Sequence, residues 1–324
     1  MKGKKLVISR INCLLAAVVT LISIPTLTSA QAPAEEEAIT YATPAVWRVS
    51  DADSDYFLLG TFHILPPNLH WRTDEIAEAY ENADIVYFEV DADAPDAASK
   101  TLNIMMTQGF NAPGTTLSSL LDDHDAQKLR EIVGELSLPF AAVDTMRPWN
   151  AFLALSVQFI INQGFEPGSG VDSVLLKNAK QSDKEVRFFE TLEEQLSLFT
   201  GLDPETEKML LTVTIRDWDE QQAAFDDLYE AWVSGDTEFL DVEMNEVLRE
   251  QAPIVYDRLI VDRNITWADE LEAALRNESG TGLVAVGAAH LVGDEQSVPA
   301  LLKKRGFDVS RVVIGQPAND NTPQ

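Results

Sequence analysis

Soft ligands and positive charge are both scarce in this 324-residue chain. It has one cysteine, so neither a disulfide framework nor a paired-cysteine zinc knuckle can form within it. Four histidines exclude a site built from many imidazoles. Lys and Arg total 24 against 53 Asp and Glu, a formal charge of −29. That is the wrong sign for neutralising a nucleic-acid backbone or an anionic membrane surface. The expected partner is a peptide or small molecule, basic or neutral rather than acidic. The 45% of apolar and 8% of aromatic residues suit a chain that folds around a large core.

Long hydrophobic runs are also few. One stands near the start, where residues 1–10 carry Lys2, Lys4, Lys5 and Arg10 without an acid. Residues 11–24 are almost wholly apolar, Pro25 follows, and Thr28-Ser29-Ala30 offers small residues for cleavage after Ala30. This is the tripartite pattern of a secretory signal peptide over 1–30. The alternative, a retained anchor, meets a run well short of the roughly 20 residues that span a bilayer. Cys13 lies inside the run, so the exported chain would contain no cysteine and carry a charge of −33. The expected location is the periplasm or the medium, with no stable membrane span after cleavage. The sequence does not speak to oligomeric state.

Residues 31–44, with Pro33, Glu35 to Glu37 and Pro44, read as a linker. Two strands, 45–50 and 56–63, flank the acidic turn 51–55. That turn is not a calcium loop, because its sixth position is Tyr56 rather than Gly and its twelfth is Phe62 rather than Glu. Thr73 caps a helix reaching about residue 82, and 85–90 is a short apolar strand. Residues 96 to about 280 are mostly helical in pattern, with a buried helix over 148–163, a helix over 171–180, a candidate strand at 186–189 and a capping box at Thr191-x-x-Glu194. Strand, helix and strand return at 283–286, 298–305 and 307–314, and 315–324 is a polar tail. The expected fold is α/β: a mixed sheet formed by the N- and C-terminal segments of a domain over 45–314, with a long helical segment inserted.

Three chain points carry chemistry. Gly60-Thr61-Phe62-His63 and Gly287-Ala288-Ala289-His290 each follow an apolar strand, and Glu89 ends a third. With 16 glycines and four histidines, chance gives roughly 0.2 such Gly-x-x-His tetrads, so two behind strands form a pattern. Functional groups in open α/β sheets collect beyond the carboxyl ends of the strands, which is where His63, Glu89 and His290 fall. Two imidazoles and a carboxylate form a ligand set for a catalytic divalent metal, leaving positions open for water. The plain alternative is two core histidines and a strand-end carboxylate. Glu190 is a candidate base, a further ligand, or a polar strand end. Arg263 and Asn264, placed between helical stretches, suit a substrate carboxylate or an oxyanion, or an ordinary ion pair. His70 and His124 read as surface residues, and the six tryptophans form no regular stacking platform. There is no Gly-x-Ser-x-Gly elbow and no phosphate loop.

Taken in order, Leu59-Gly60-Thr61-Phe62-His63, Phe88-Glu89, Gly170-Val171-Asp172, Glu190-Thr191 with Gln195, Arg263-Asn264 with Trp267, and Val286 to Gly293 resemble the TraB/GumN/PrgY superfamily, which includes the animal Tiki proteins. The chain departs from many relatives at Gln296, where they carry a glycine. The resemblance implies a fold related to the erythromycin-esterase-like group. It also implies a metal-dependent hydrolase, of the peptidase kind, with His63, Glu89 and His290 as ligands to manganese, cobalt or zinc. Glu89 or Glu190 would then move protons, with Arg263 and Asn264 beside the substrate. Two other functions fit the sequence: a non-catalytic protein that sequesters a peptide or small ligand, and a structural envelope protein on a retained fold.

Overall fold

The computed structural model describes residues 40–315 apart from 294. The leader, most of the linker and nearly all of the polar tail therefore lie outside the described residues. Eight strands follow in chain order: β1 Thr40–Tyr41, β2 Val46–Ser50, β3 Ser54–Thr61, β4 Leu69–His70, β5 Ile85–Phe88, β6 Glu185–Phe188, β7 Gly280–Gly287 and β8 Asp308–Arg311. Six of them form one mixed sheet in the order β6-β5-β7-β3-β2-β8, and β1 pairs with β4 apart from it. The fold is α/β, with the sheet drawn from both ends of the domain and a long helical stretch between.

Strand β7 is the pivot. It runs parallel to β3 on one side and β5 on the other, with Thr61 opposite Gly287 and Phe88 opposite Ala285. Strands β3 and β2 form the hairpin expected around the acidic turn, where Asp51 Oδ1 accepts from the Asp53 and Ser54 amides. The chain leaves β5 toward β6 on one side and β7 toward β8 on the other, so the crevice at the carboxyl ends of β5 and β7 is a switch point, where α/β sheets place ligands.

The helical stretch is divided by β6 into blocks over 97–180 and 192–277. The Pro148–Asn162 helix starts with proline at its first turn and is buried on almost every side, with Trp149 and Phe152 fully enclosed. The capping box at Thr191 forms as the spacing predicts, opening the Leu192–Thr200 helix.

Several expectations need correction. Residues 40–44, read as linker, are packed: Thr40 and Tyr41 pair with β4, Ala42 is fully buried, and the Thr43 amide donates to the Val233 carbonyl. Strand β7 begins three residues before 283, because Gly280 takes a positive φ of 129° and the polar Gly280–Gly282 run still pairs with β3. Arg263 and Asn264 do not sit between helices. Two π-turns, Asp241–Glu246 and Asp257–Val261, absorb extra residues, and Arg263 falls in the first turn of a helix running Asp262–Asn277. His70 is half-buried against the Tyr41 ring, 5.4 Å away, whereas His124 is exposed. No helix among the described residues is long and apolar enough to cross a membrane.

Candidate functional site

The ends of β3, β5 and β7 deliver His63, Glu89 and His290 to one buried region, each no more than 3% exposed. Each side chain is held by a group from a distant part of the chain. The Asp172 carboxylate lies 2.9 Å from His63 Nδ1. Asp172 is in the first turn of the Val171–Lys180 helix, and that turn is pressed onto the His63 backbone. A Cβ at Gly170 would sit 2.0 Å from the His63 carbonyl oxygen, so only glycine permits the approach.

Glu89 accepts from three donors. Gly287 N–H binds Oε1 at 2.7 Å, while Arg263 Nη2 and Gln195 Nε2 bind Oε2 at 2.6 and 3.1 Å. Burial pushes this carboxyl up, but the nearby charges of Arg263, His290 and His63 outweigh it and hold it at about 2. Glu89 is therefore an anion throughout the neutral range.

His290 has a defined tautomer. Its Nδ1 lies 2.6 Å from Asn264 Oδ1, and the Asn264 amide is fixed the other way round by donating from Nδ2 to the Gln296 carbonyl. Nδ1 therefore carries the proton, and Nε2 presents a lone pair to Arg263 Nη1, 3.0 Å away. Burial first, and the Arg263 charge second, push this imidazole down to about 3. His63 goes the other way: burial would lower it, but the Asp172 and Glu89 charges together raise it. Asn245, on the Asp241–Glu246 turn, donates to the Ala289 and Val292 carbonyls and so fixes the loop bearing His290.

Arg263 is the hub. Its Nε donates to Glu190 Oε1 at 2.7 Å, Nη2 to Glu89 and to Glu190 Oε2, and Nη1 to the Leu259 carbonyl and to His290. All five guanidinium N–H groups are engaged, so none is left over for an oxyanion in this arrangement. Burial raises the Glu190 carboxyl against the pull of Arg263. Glu190 also lines a cavity of about 340 Å³ at the carboxyl ends of β5 and β6, with Phe188, Phe189 and Leu192 on its wall.

The structure thus brings together every residue expected at the site: His63, Glu89, His290, Glu190, Arg263 and Asn264. Asp172 and Gln195 had no assigned role; their contacts now supply one. Asn245 gave no local signal, since it acts through backbone carbonyls 44 and 47 positions away. Trp267 is a wall of the site: Arg263 lies over its ring at 4.6 Å, His290 is 4.4 Å from it, and it stacks on Phe189 at 5.1 Å.

The donor set suits a divalent ion in kind. Two imidazoles with Nδ1 tied to oxygen acceptors match the outer shell that orients metal-bound histidine. Gly287 supplies a cradle: a Cβ there would lie 3.2 Å from Glu89 Oε1, 3.4 Å from His63 Nε2 and 3.6 Å from His290 Cδ2. The spacing is wider than one ion spans. His290 Nε2 and Glu89 Oε1 are 4.0 Å apart, but the three residues do not all offer donor atoms within 4.8 Å of one another. Among the described residues the group that does is Asp122, His124 and Asp125, at a helix start where Arg216 pairs with both aspartates.

The chain is a mixed α/β protein whose two Gly-x-x-His turns stand at the ends of neighbouring parallel strands. The TraB/PrgY/gumN family model matches residues 45–311, and the chain belongs to that family. It is similar to the uncharacterized protein YbaP of Escherichia coli K12, at 25% identity over 81% of this chain and 93% of that protein. YbaP of Shigella flexneri matches to the same extent.

Proposed function

We propose that the chain is a metal-dependent hydrolase, of the peptidase kind, acting in the cell envelope after loss of its leader. The observation that carries this reading is the pair of imidazoles, each tied at Nδ1 by Asp172 or Asn264, gathered with Glu89 around Gly287. His63, Glu89 and His290 would hold the ion. A bound manganese, cobalt or zinc ion would supply an acidified water for attack on a carbonyl.

The chain's own residues divide the remaining work. Asp172 and Asn264 fix the ring orientations. Glu89, anionic down to about pH 2, is a poor proton carrier and a good ligand. Glu190, raised by burial and facing the cavity, is the better group to take a proton and pass it to a leaving amine. Phe188, Phe189 and Leu192 give that cavity an apolar wall against which a substrate side chain can exclude water. The acidic chain favours basic or neutral peptides.

The test loads residues 31–324 and a His63→Ala/His290→Ala variant with manganese, cobalt or zinc, desalts both, and measures metal content and cleavage of a peptide mixture. Metal and cut products from the parent alone support the reading. A parent that retains peptide intact, with the metal-free variant binding equally well, would instead make it a sequestering protein.

A further inference from the structure

Arg263 stands between this donor set and a divalent ion. We propose that it is a built-in competitor for the metal: its guanidinium holds the ligands in an ion-free arrangement and must give up His290 and Glu89 before an ion can bind. The residue that limits metal affinity would then be Arg263 rather than any ligand. The inference rests on the metal-site reading above.

Four observations carry it. Nη1 sits 3.0 Å from His290 Nε2, on the lone pair that a metal would take. Nη2 sits 2.6 Å from Glu89 Oε2, and the pair is buried, so its charge is little screened and would repel a second cation at the same place. Glu190 offers an alternative anchor: it already binds Nε and Nη2, and it borders the cavity of about 340 Å³. Trp267, with the guanidinium 4.6 Å from its ring centre, supports the plane of the group.

Two substitutions separate charge from reach. Arg263→Gln removes the cation. Arg263→Lys keeps a cation for Glu89 and Glu190 but lacks the fork that also engages His290. Manganese and cobalt binding would be measured by calorimetry on the parent, both variants and His63→Ala/His290→Ala, together with the melting temperature with and without metal. The glutamine variant should bind at least about tenfold more tightly than the parent, with lysine between them. It should also melt lower without metal and gain more on adding it, so a destabilised apo form remains informative.

Equal affinity in the parent and both folded variants would overturn the competition while leaving the metal site intact. Weaker binding in both would make Arg263 a support of the site rather than a rival. No binding by any of them would overturn the metal-site reading, and the competition with it.

Discussion

The two Gly-x-x-His turns look like one device used twice, and the structure gives their parts different work. They lie side by side on parallel strands, one residue out of step: Gly60 is opposite Val286, and Thr61 opposite Gly287. Gly60 is a packing glycine. Its carbonyl accepts from the Trp232 indole at 2.9 Å, and a Cβ there would press on Ala288 at 3.2 Å. Gly287 is a site glycine, whose N–H binds Glu89 and whose missing side chain leaves the cradle open. The histidines diverge as well. His63 has a carboxylate behind it and is raised, while His290 has a neutral amide behind it, an arginine in front, and is pushed down to about 3. A repeated motif places two rings; the groups supplied from elsewhere decide what each ring is.

The largest expected effect lies between the turns. Glu89 braces the second turn, accepting from Gly287 and from the Arg263 that also meets His290, so Glu89→Ala leaves a buried guanidinium short of one partner. It should cost about 3–5 kcal/mol in denaturant unfolding. A loss under about 1 kcal/mol would show that the second turn is held independently of this ion pair.

Next come the two glycines, which should fail in different ways. Gly60→Ala forces the Ala288 backbone to move and should destabilise by about 1–3 kcal/mol, with metal uptake retained. Gly287→Ala fills the space among Glu89, His63 and His290, and should abolish metal uptake at a smaller cost in stability. Melting temperature and metal content for both variants decide the matter, and the opposite pattern would reverse the roles assigned to the two turns.

Much of this site was legible along the chain because its parts are local. Each Gly-x-x-His tetrad follows its own apolar strand, Glu89 ends a third, and Thr191 announces its helix through the residue three places on. What was not legible is the set of partners. Asp172 lies 109 residues from His63, and Gln195 lies 106 from Glu89. A polar residue in the first turn of a helix reads as a cap or a solvated face until the fold shows what it meets. Arg263 reads as lying between helices because a π-turn leaves no signature in apolar spacing; the stretch 253–277 is continuous through one, and the true break lies earlier, at Ala252. The packing of residues 40–44 was hidden for a similar reason: a two-residue strand has no periodicity, and the buried Ala42 donates its amide to the carbonyl of His70, far along the chain.

The smallest effect concerns a carboxylate remote from both turns, which must be set aside before their pH dependence can be compared. Asp217 ends the Pro204–Arg216 helix, where a negative charge faces the negative end of the helix dipole. Its Oδ2 is buried without a hydrogen-bond partner. Burial, with Glu220 adding to it, pushes the group up to about 7. The folded chain therefore holds this proton more tightly than the unfolded chain, whose aspartate titrates near 4. Stability from this group is full below about pH 4, falls as pH rises to about 7, and is level above that. Asp217→Asn should remove that slope, matching the parent at pH 4 and exceeding it at pH 8. The expected gain is about 1 kcal/mol, the low end of the cost of a buried polar group without a partner, or roughly 2–4 °C in melting temperature. If melting curves of the variant across this range still fall in parallel with the parent's, the neutral-range proton belongs to another group, and the charged cluster between the two turns is the next place to look.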